Sequence, residues 1–309
     1  MIKLNFTKNL HLTEMLGPNP YAHLSAASGL VKIGKWLFIV ADDEKHIAVF
    51  NGEGDSSGIA HPIMAGELPL DTEARKRVKH DFEAIAQVPN SKKLPYGGLL
   101  ILGSGSKKQR EQGVIIPFLA PPTDSKIPAL GEACIIDLDP IYDALKDEPG
   151  KTNIEGAIIL GKEILLFQRG NKNNRNAIIR FKWKEFLASA TGEGKGTPDY
   201  TIQHFDLGAI DGVPLCFTDA TALTDGRLVF TAAAENAEEA CVDGACMGSA
   251  IGIISTTGEL ISLKRVDKKV KLEGIDVQEE STELKLWLVS DPDNPQLPGQ
   301  LFTAQIKRD

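Results

Sequence analysis

Five short motifs hold the residues best able to do chemistry. They are Ser28-Gly29-Leu30-Val31, Glu83-Ala84-Ile85-Ala86, Glu155-Gly156-Ala157-Ile158, Asp219-Ala220-Thr221-Ala222 and Glu273-Gly274-Ile275-Asp276. Each sets one hydroxyl or carboxylate ahead of a short apolar run. Their spacings are 55, 72, 64 and 54 residues, and the path from Glu273 through both termini to Ser28 adds another 64. Around a common axis, these side chains would put four carboxylates in one small space. At an effective dielectric near 20, each carboxylate pair about 4 Å apart costs about 4 kcal/mol. Three remedies exist: protonation of some members, a cation among them, or backbone N–H donors aimed at the oxygens. An all-oxygen donor set of high charge suits Ca2+ before zinc or copper, because no His or Cys stands at these positions. Mg2+, Na+ and ordered water stay open as alternatives. So does a structural lock in which each Glu accepts hydrogen bonds from a neighbouring unit.

Positioning such a set needs a repeat. Runs such as Trp36-Leu37-Phe38-Ile39-Val40, Leu99-Leu100-Ile101-Leu102 and Leu284-Lys285-Leu286-Trp287-Leu288-Val289 have strand length and composition. Gly, Pro and Asn separate them, and long amphipathic helices are nearly absent, so the fold class is all-β. A unit of about 60 residues accommodates four strands and long loops, which is one propeller blade. The reading is a five-bladed β-propeller in a single domain, residues 1–309, with blades opening near 28, 83, 155, 219 and 273. Six blades or a pair of β-sandwiches are the competing folds. In blade three the strands fall at 155–160, 163–168, 176–181 and 201–206. Blade five offers three, at 273–278, 284–289 and 299–306, and residues 2–9 supply the fourth, closing the ring and covering two edges. Segments 140–147 and 182–190 read as short helical insertions.

The chain has 309 residues, 42% hydrophobic and 25% charged, with a formal net charge of −8. That charge argues against a nucleic-acid surface, which needs clustered Lys and Arg. No apolar run approaches the roughly 18 residues of a membrane span, and Met1 to Phe6 alternates without a signal-type apolar core. The expectation is a cytoplasmic protein that binds neither nucleic acid nor membrane. Four cysteines do not make a disulfide scaffold. Cys241 and Cys246 flank an Asp-Gly turn, which leaves reduced thiols, a disulfide or a two-thiolate metal site open. Cys134 and Cys216 read as core residues.

The loops between second and third strands are polar and should crowd one face. Asp42, Asp43 and Glu44 lie in blade one, Lys107, Lys108 and Arg110 in blade two, Arg169 in blade three, Glu235 in blade four, and Asp291 and Asp293 in blade five. Lys107, Arg110 and Arg169 could clamp a small anionic molecule while Asp42 orients water and a channel ion polarises a phosphoryl oxygen. Solvated turn residues are the plainer reading, and a protein partner stays open. Gly103-Ser104-Gly105-Ser106-Lys107-Lys108 lacks the spacing of a phosphate-binding loop. The six histidines share no spacing with the five motifs.

Ser28-Gly-Leu-Val-Lys-Ile-Gly-Lys35, Phe82-Glu-Ala-Ile-Ala86, Ile154-Glu-Gly-Ala157 and Leu272-Glu-Gly-Ile-Asp276 resemble the blade openings of calcium-activated nucleotidases, the five-bladed apyrases. The resemblance implies a Ca2+ in the central tunnel held by Ser28, Glu83, Glu155 and Glu273. The remaining position is serine in that family and Asp219 here, with Thr218 and Thr221 as neighbouring oxygens. Asp42-Asp43 and Arg169 also stand where the family places an Asp pair and an arginine. Similar openings occur in phytase-like and lactonase-like bacterial propellers. Three functions follow as expectations: a calcium-dependent hydrolase, a binding propeller with a structural ion, and a sugar-lactone or glycoside-cleaving enzyme.

Overall fold

Apolar runs cut by Gly and Asn turns become twenty-one strands in a computed structural model, which describes residues 1–17, 19–146, 151–170, 175–194, 196–235 and 246–308. Strand β1 (Asn5–Asn9) comes first. Blade one follows with β2 (Ala27–Ile33), β3 (Trp36–Ala41), β4 (His46–Asn51) and β5 (Ile59–Pro62). Blade two holds β6 (Phe82–Val88), β7 (Gly98–Gly103), β8 (Gln112–Pro117) and β9 (Cys134–Asp137). In blade three are β10 (Ile154–Leu160), β11 (Glu163–Gln168), β12 (Asn176–Lys182) and β13 (Tyr200–Phe205). Blade four has five strands, β14 (Ala209–Ile210), β15 (Val213–Ala222), β16 (Leu228–Glu235), β17 (Cys246–Ile254) and β18 (Leu260–Arg265). Blade five consists of β19 (Lys271–Glu279), β20 (Glu283–Asp291), β21 (Gln300–Lys307) and β1, which pairs antiparallel with β21 through Phe6 and Phe302. The protein is therefore a five-bladed β-propeller, closed by its N-terminal strand.

The core explains the ring. Strands β3 and β7 are buried along their whole length, because a second strand is covered on both faces by adjacent blades. Five apolar clusters fill the five seams. Phe38 and Val114 share one, Leu100 and Leu166 the next, Phe167 and Phe217 the third, Ile251 and Leu286 the fourth, and Leu37 and Trp287 the last. Outer strands β13 and β18 carry mixed, largely exposed patterns.

Among the described residues, three α-helices sit in connections. Helix α2 (Asp139–Leu145) buries Ile141, Tyr142 and Leu145, and α3 (Trp183–Ala190) buries Phe186, Ser189 and Ala190. Both occupy the segments the sequence marks as helical. Helix α1 (Thr72–Val78) was not among them and buries none of its residues. Its pattern, Thr-Glu-Ala-Arg-Lys-Arg-Val, has no apolar stripe to read. Among the described residues, no helix is long and apolar enough to cross a membrane. The two cysteines read as core differ from that expectation: Cys134 is exposed on an outer strand and Cys216 is half-buried. Cys246 is free, and Cys241 lies outside the described residues.

Candidate functional site

Each blade's innermost strand breaks its pairing at one place. Register shifts between Ala27 and Gly29, Phe82 and Ala84, Ile154 and Gly156, Phe217 and Asp219, and Leu272 and Gly274 leave one residue bulged in every blade. The bulged residues are Ser28, Glu83, Glu155, Thr218 and Glu273. A bulge redirects a side chain out of the ladder, and here it does so at the same level five times. Blade four thus departs from the sequence reading: Thr218, not Asp219, is the counterpart of the other four.

Asp219 belongs to the next level, where the other blades have Gly29, Ala84, Gly156 and Gly274. Those small residues answer to close approach at the axis. A Cβ on Gly29 would lie 2.6 Å from the Glu83 carbonyl oxygen. A Cβ on Gly156 would lie 3.1 Å from Asp219 Oδ1. Asp219 is fully buried and spans the axis. Its Oδ1 accepts from Ala220 N–H at 2.8 Å, and its Oδ2 accepts from Ile275 N–H at 2.9 Å and Leu30 N–H at 3.4 Å. Burial pushes its carboxyl well above the usual range, against the pull of these three donors. Of the remedies for crowded carboxylates, Asp219 uses backbone donors. Asp276 repeats the device one step further on, accepting from Lys32 N–H at 2.5 Å, Val277 N–H at 2.6 Å and the Thr221 hydroxyl at 3.0 Å.

The bulged acids use cations instead. Glu155 accepts from Arg169 at 3.3 Å and from Asn153 Nδ2 at 2.5 Å. Arg169 also pairs with Glu235 across the seam to blade four. Glu273 pairs with Lys271 Nζ at 3.1 Å, and that ammonium also meets Asp293 at 2.9 Å and Asp291 at 3.3 Å. Glu83 has no hydrogen bond among the described residues, but Asp42, Asp81 and Glu83 each offer an oxygen within 4.8 Å of the others. Lys79 Nζ reaches into this triad, 2.5 Å from Asp42 and 2.8 Å from Asp81. Asp81 adopts a left-handed backbone, φ 58°, and collects Arg110 at 2.7 Å and the Ser104 hydroxyl at 2.5 Å on its other oxygen.

Charge is nevertheless unbalanced. Arg75, Lys79, Arg110, Arg169 and Lys271 face a larger number of carboxylates in this paired network, from Asp42, Asp43 and Glu44 round to Asp291 and Asp293. Burial, then Glu155, Asp81 and Asp42, raise the Glu83 carboxyl well above its ordinary value. Burial lifts Glu155 to about 7, with Glu273 adding to the rise and Arg169 opposing it. Asp43 reaches about 7 through burial and the neighbouring Asp42 and Glu44 charges. Asp81 moves the other way: burial opposes its charge, but Lys79 and Arg110 outweigh it and hold the carboxyl low. Glu273 Oε2 is buried without a hydrogen-bond partner. The Asp42, Asp81 and Glu83 oxygens, close together and in charge excess, fit a hard divalent cation, and Glu273 stands outside that group.

The sequence-derived residues therefore fall into groups. Ser28, Glu83, Glu155 and Glu273 share the bulge level, and Asp42 joins them through Glu83. Arg110 and Arg169 are held by Asp81 and Glu155, so neither is an unpaired cation. Lys107 is exposed beside Arg110, whose charge lowers its ammonium. Sequence reasoning missed Lys79, Asp81, Arg75 and Lys271. A signal existed: a lysine precedes the acid by four residues at Lys79 and Glu83, and by two at Lys271 and Glu273. A second acidic group, Glu111, Asp139 and Asp143, lies by α2 with Lys108 paired to Glu111 and Asp139. A cleft of about 370 Å³ adjoins the triad, lined by Tyr21, Asp42, Asp43, Leu70, Arg75, Lys76, Lys79, Asp291 and Asp293 among others.

Several solved structures are similar at low identity. Drosophila Semaphorin 2a aligns with TM-score 0.37 and 9% identity over 84% of this chain, which spans 54% of that protein's length. A putative gluconolactonase aligns with TM-score 0.37 and 9% identity, covering 99% of this chain and 98% of that one. The WD40 propeller domain of Doa1 gives 0.35 and 9%, covering 94% and 96%. Such values carry no functional argument. No curated protein matches the sequence. Residues 23–306 match the profile of DUF6929, a family of unknown function, and the chain belongs to that family.

Proposed function

We propose that this protein binds a divalent cation of the calcium type at the channel mouth and hydrolyses a small phosphorylated or otherwise anionic molecule in the adjoining cleft. One observation carries the reading: the Asp42, Asp81 and Glu83 oxygens gather within 4.8 Å beside a cleft of small-molecule size that basic side chains also line. These three would hold the ion, with Glu155 and Glu273 on the same bulge level outside that group. A bound divalent cation supplies charge that polarises an anionic oxygen and the water attacking it. Lys76 has no ion pair among the described residues and can meet the substrate's charge from the cleft wall. Asp42 borders both triad and cleft and would orient that water. Arg110 and Arg169 act through the carboxylates they hold, and Lys107 adds exposed charge nearby. The likeness of the blade motifs to calcium-activated nucleotidases points the same way.

The test is metal analysis and a calcium titration of Tm, followed by nucleoside diphosphates, phosphoesters and lactones assayed with calcium or with EDTA. Calcium-dependent stabilisation and EDTA-sensitive turnover lost in Glu83→Gln are expected. No stabilisation by any divalent ion, together with no turnover, would overturn the proposal. A second reading, a non-catalytic propeller with a structural ion, is favoured by the pairing of Arg75, Arg110 and Arg169 with the protein's own acids. Stabilisation by calcium without turnover on any substrate would select it.

A further inference from the structure

We infer that residues 70–79, built around α1, form a strap over the channel mouth that a divalent cation releases. The inference rests on the metal reading above and concerns its control. The strap lies in the connection from blade one to blade two and lines the cleft with Leu70, Thr72, Arg75, Lys76 and Lys79. Nothing apolar fastens its helix, since none of the α1 residues is buried. Its hold on the ring is polar throughout. Arg75 reaches the Asp43 carbonyl at 3.1 Å and the Asp43 and Glu44 carboxylates at 3.3 and 3.4 Å. Gln109 and Arg110 donate to the Arg77 and Lys76 carbonyls at 3.0 and 3.3 Å. Lys79 closes the far end on Asp42 and Asp81.

Those last two carboxylates belong to the triad that would receive the ion. Lys79 is thus a tethered cation on oxygens that a free cation also wants. Two positive charges cannot share the pair at contact distance without strong repulsion, so an incoming ion displaces the ammonium. Once the ammonium is displaced, a seven-residue helix keeps only the Arg75 pairs and the donations from Gln109 and Arg110, and isolated helices below roughly 12 residues are marginal in water. Cation entry and uncovering of the cleft become one event.

Three consecutive basic residues, Arg75, Lys76 and Arg77, make the strap a trypsin target. Wild-type protein and Lys79→Gln are digested with calcium chloride or with EDTA, and calcium binding is measured separately by calorimetry. Saturating calcium should speed cleavage at 75–77 at least about tenfold in the wild type while the blades resist. Lys79→Gln should be cut fast without calcium and bind it about tenfold more tightly, having lost the competing charge. Calcium that binds in calorimetry yet leaves wild-type cleavage unchanged or slower overturns the strap and spares the metal reading. Absence of any calcium binding overturns both. If Lys79→Gln fails to fold, the wild-type comparison alone decides.

Discussion

Helices α1 and α2 occupy equivalent connections, each leading from a blade's last strand to the next blade's first, yet they are fastened by opposite means. Helix α2 drives Ile141, Tyr142 and Leu145 into the seam between blades two and three, and the Tyr142 hydroxyl donates to the Gly103 carbonyl at 2.8 Å. Helix α1 rests on ion pairs and backbone acceptors over the acidic mouth. Apolar attachment depends on area removed from water and is indifferent to small ions. Charge attachment can be contested by any cation that reaches the same oxygens. A helix of the first kind belongs to the scaffold, and one of the second kind is conditional.

The comparison can be broken at its strongest point first. Ile141→Ala should lower unfolding stability by about 3 kcal/mol in a denaturant titration, since it empties a buried site in a seam. A loss below about 1 kcal/mol would show that α2 is as detachable as α1.

Acidity is the next lever. Asp43 and Glu155 have folded values near 7, above their ordinary 3.8 and 4.5. Each stabilises the fold while protonated, and that contribution is lost as pH rises through 7. Cation-free protein should lose on the order of 4 kcal/mol between pH 5.5 and 8, about half from each group. Calcium should flatten the fall, because it favours the ionised carboxylates. A stability that climbs over this window would contradict the charge excess.

Arg75→Gln removes the pairs made from the middle of α1 and should cost about 1 kcal/mol globally. Its clearer effect should be faster amide exchange confined to residues 72–79, with α2 unchanged. Smallest is Asp71→Ala. Asp71 Oδ1 caps α1 by accepting from Ala74 N–H at 2.8 Å, and its removal should cost about 0.5 kcal/mol, seen as local exchange. Spread of either effect into α2 would mean that the two helices are coupled.

The blades were legible because their apolar runs and turn residues repeat, and a ring of five needs only that repeat plus a strand from the N-terminus. Blade-three strands fall within one residue of the positions read from sequence. The level of the bulges was harder to read. Acid type suggested Asp219, whereas the apolar residue before each bulge, Ala27, Phe82, Ile154, Phe217 and Leu272, marks Thr218. The counter-ions escaped notice because ion pairing across loops leaves no periodic trace. Helix α1 escaped for the same reason, since a segment that turns no apolar face inward has no period to detect.

The carboxyl of Asp219 ties blades four, five and one together through three backbone amides. Removing that one side chain would strip all three amides of their acceptor at once, so its loss is felt by the ring and not by a single blade.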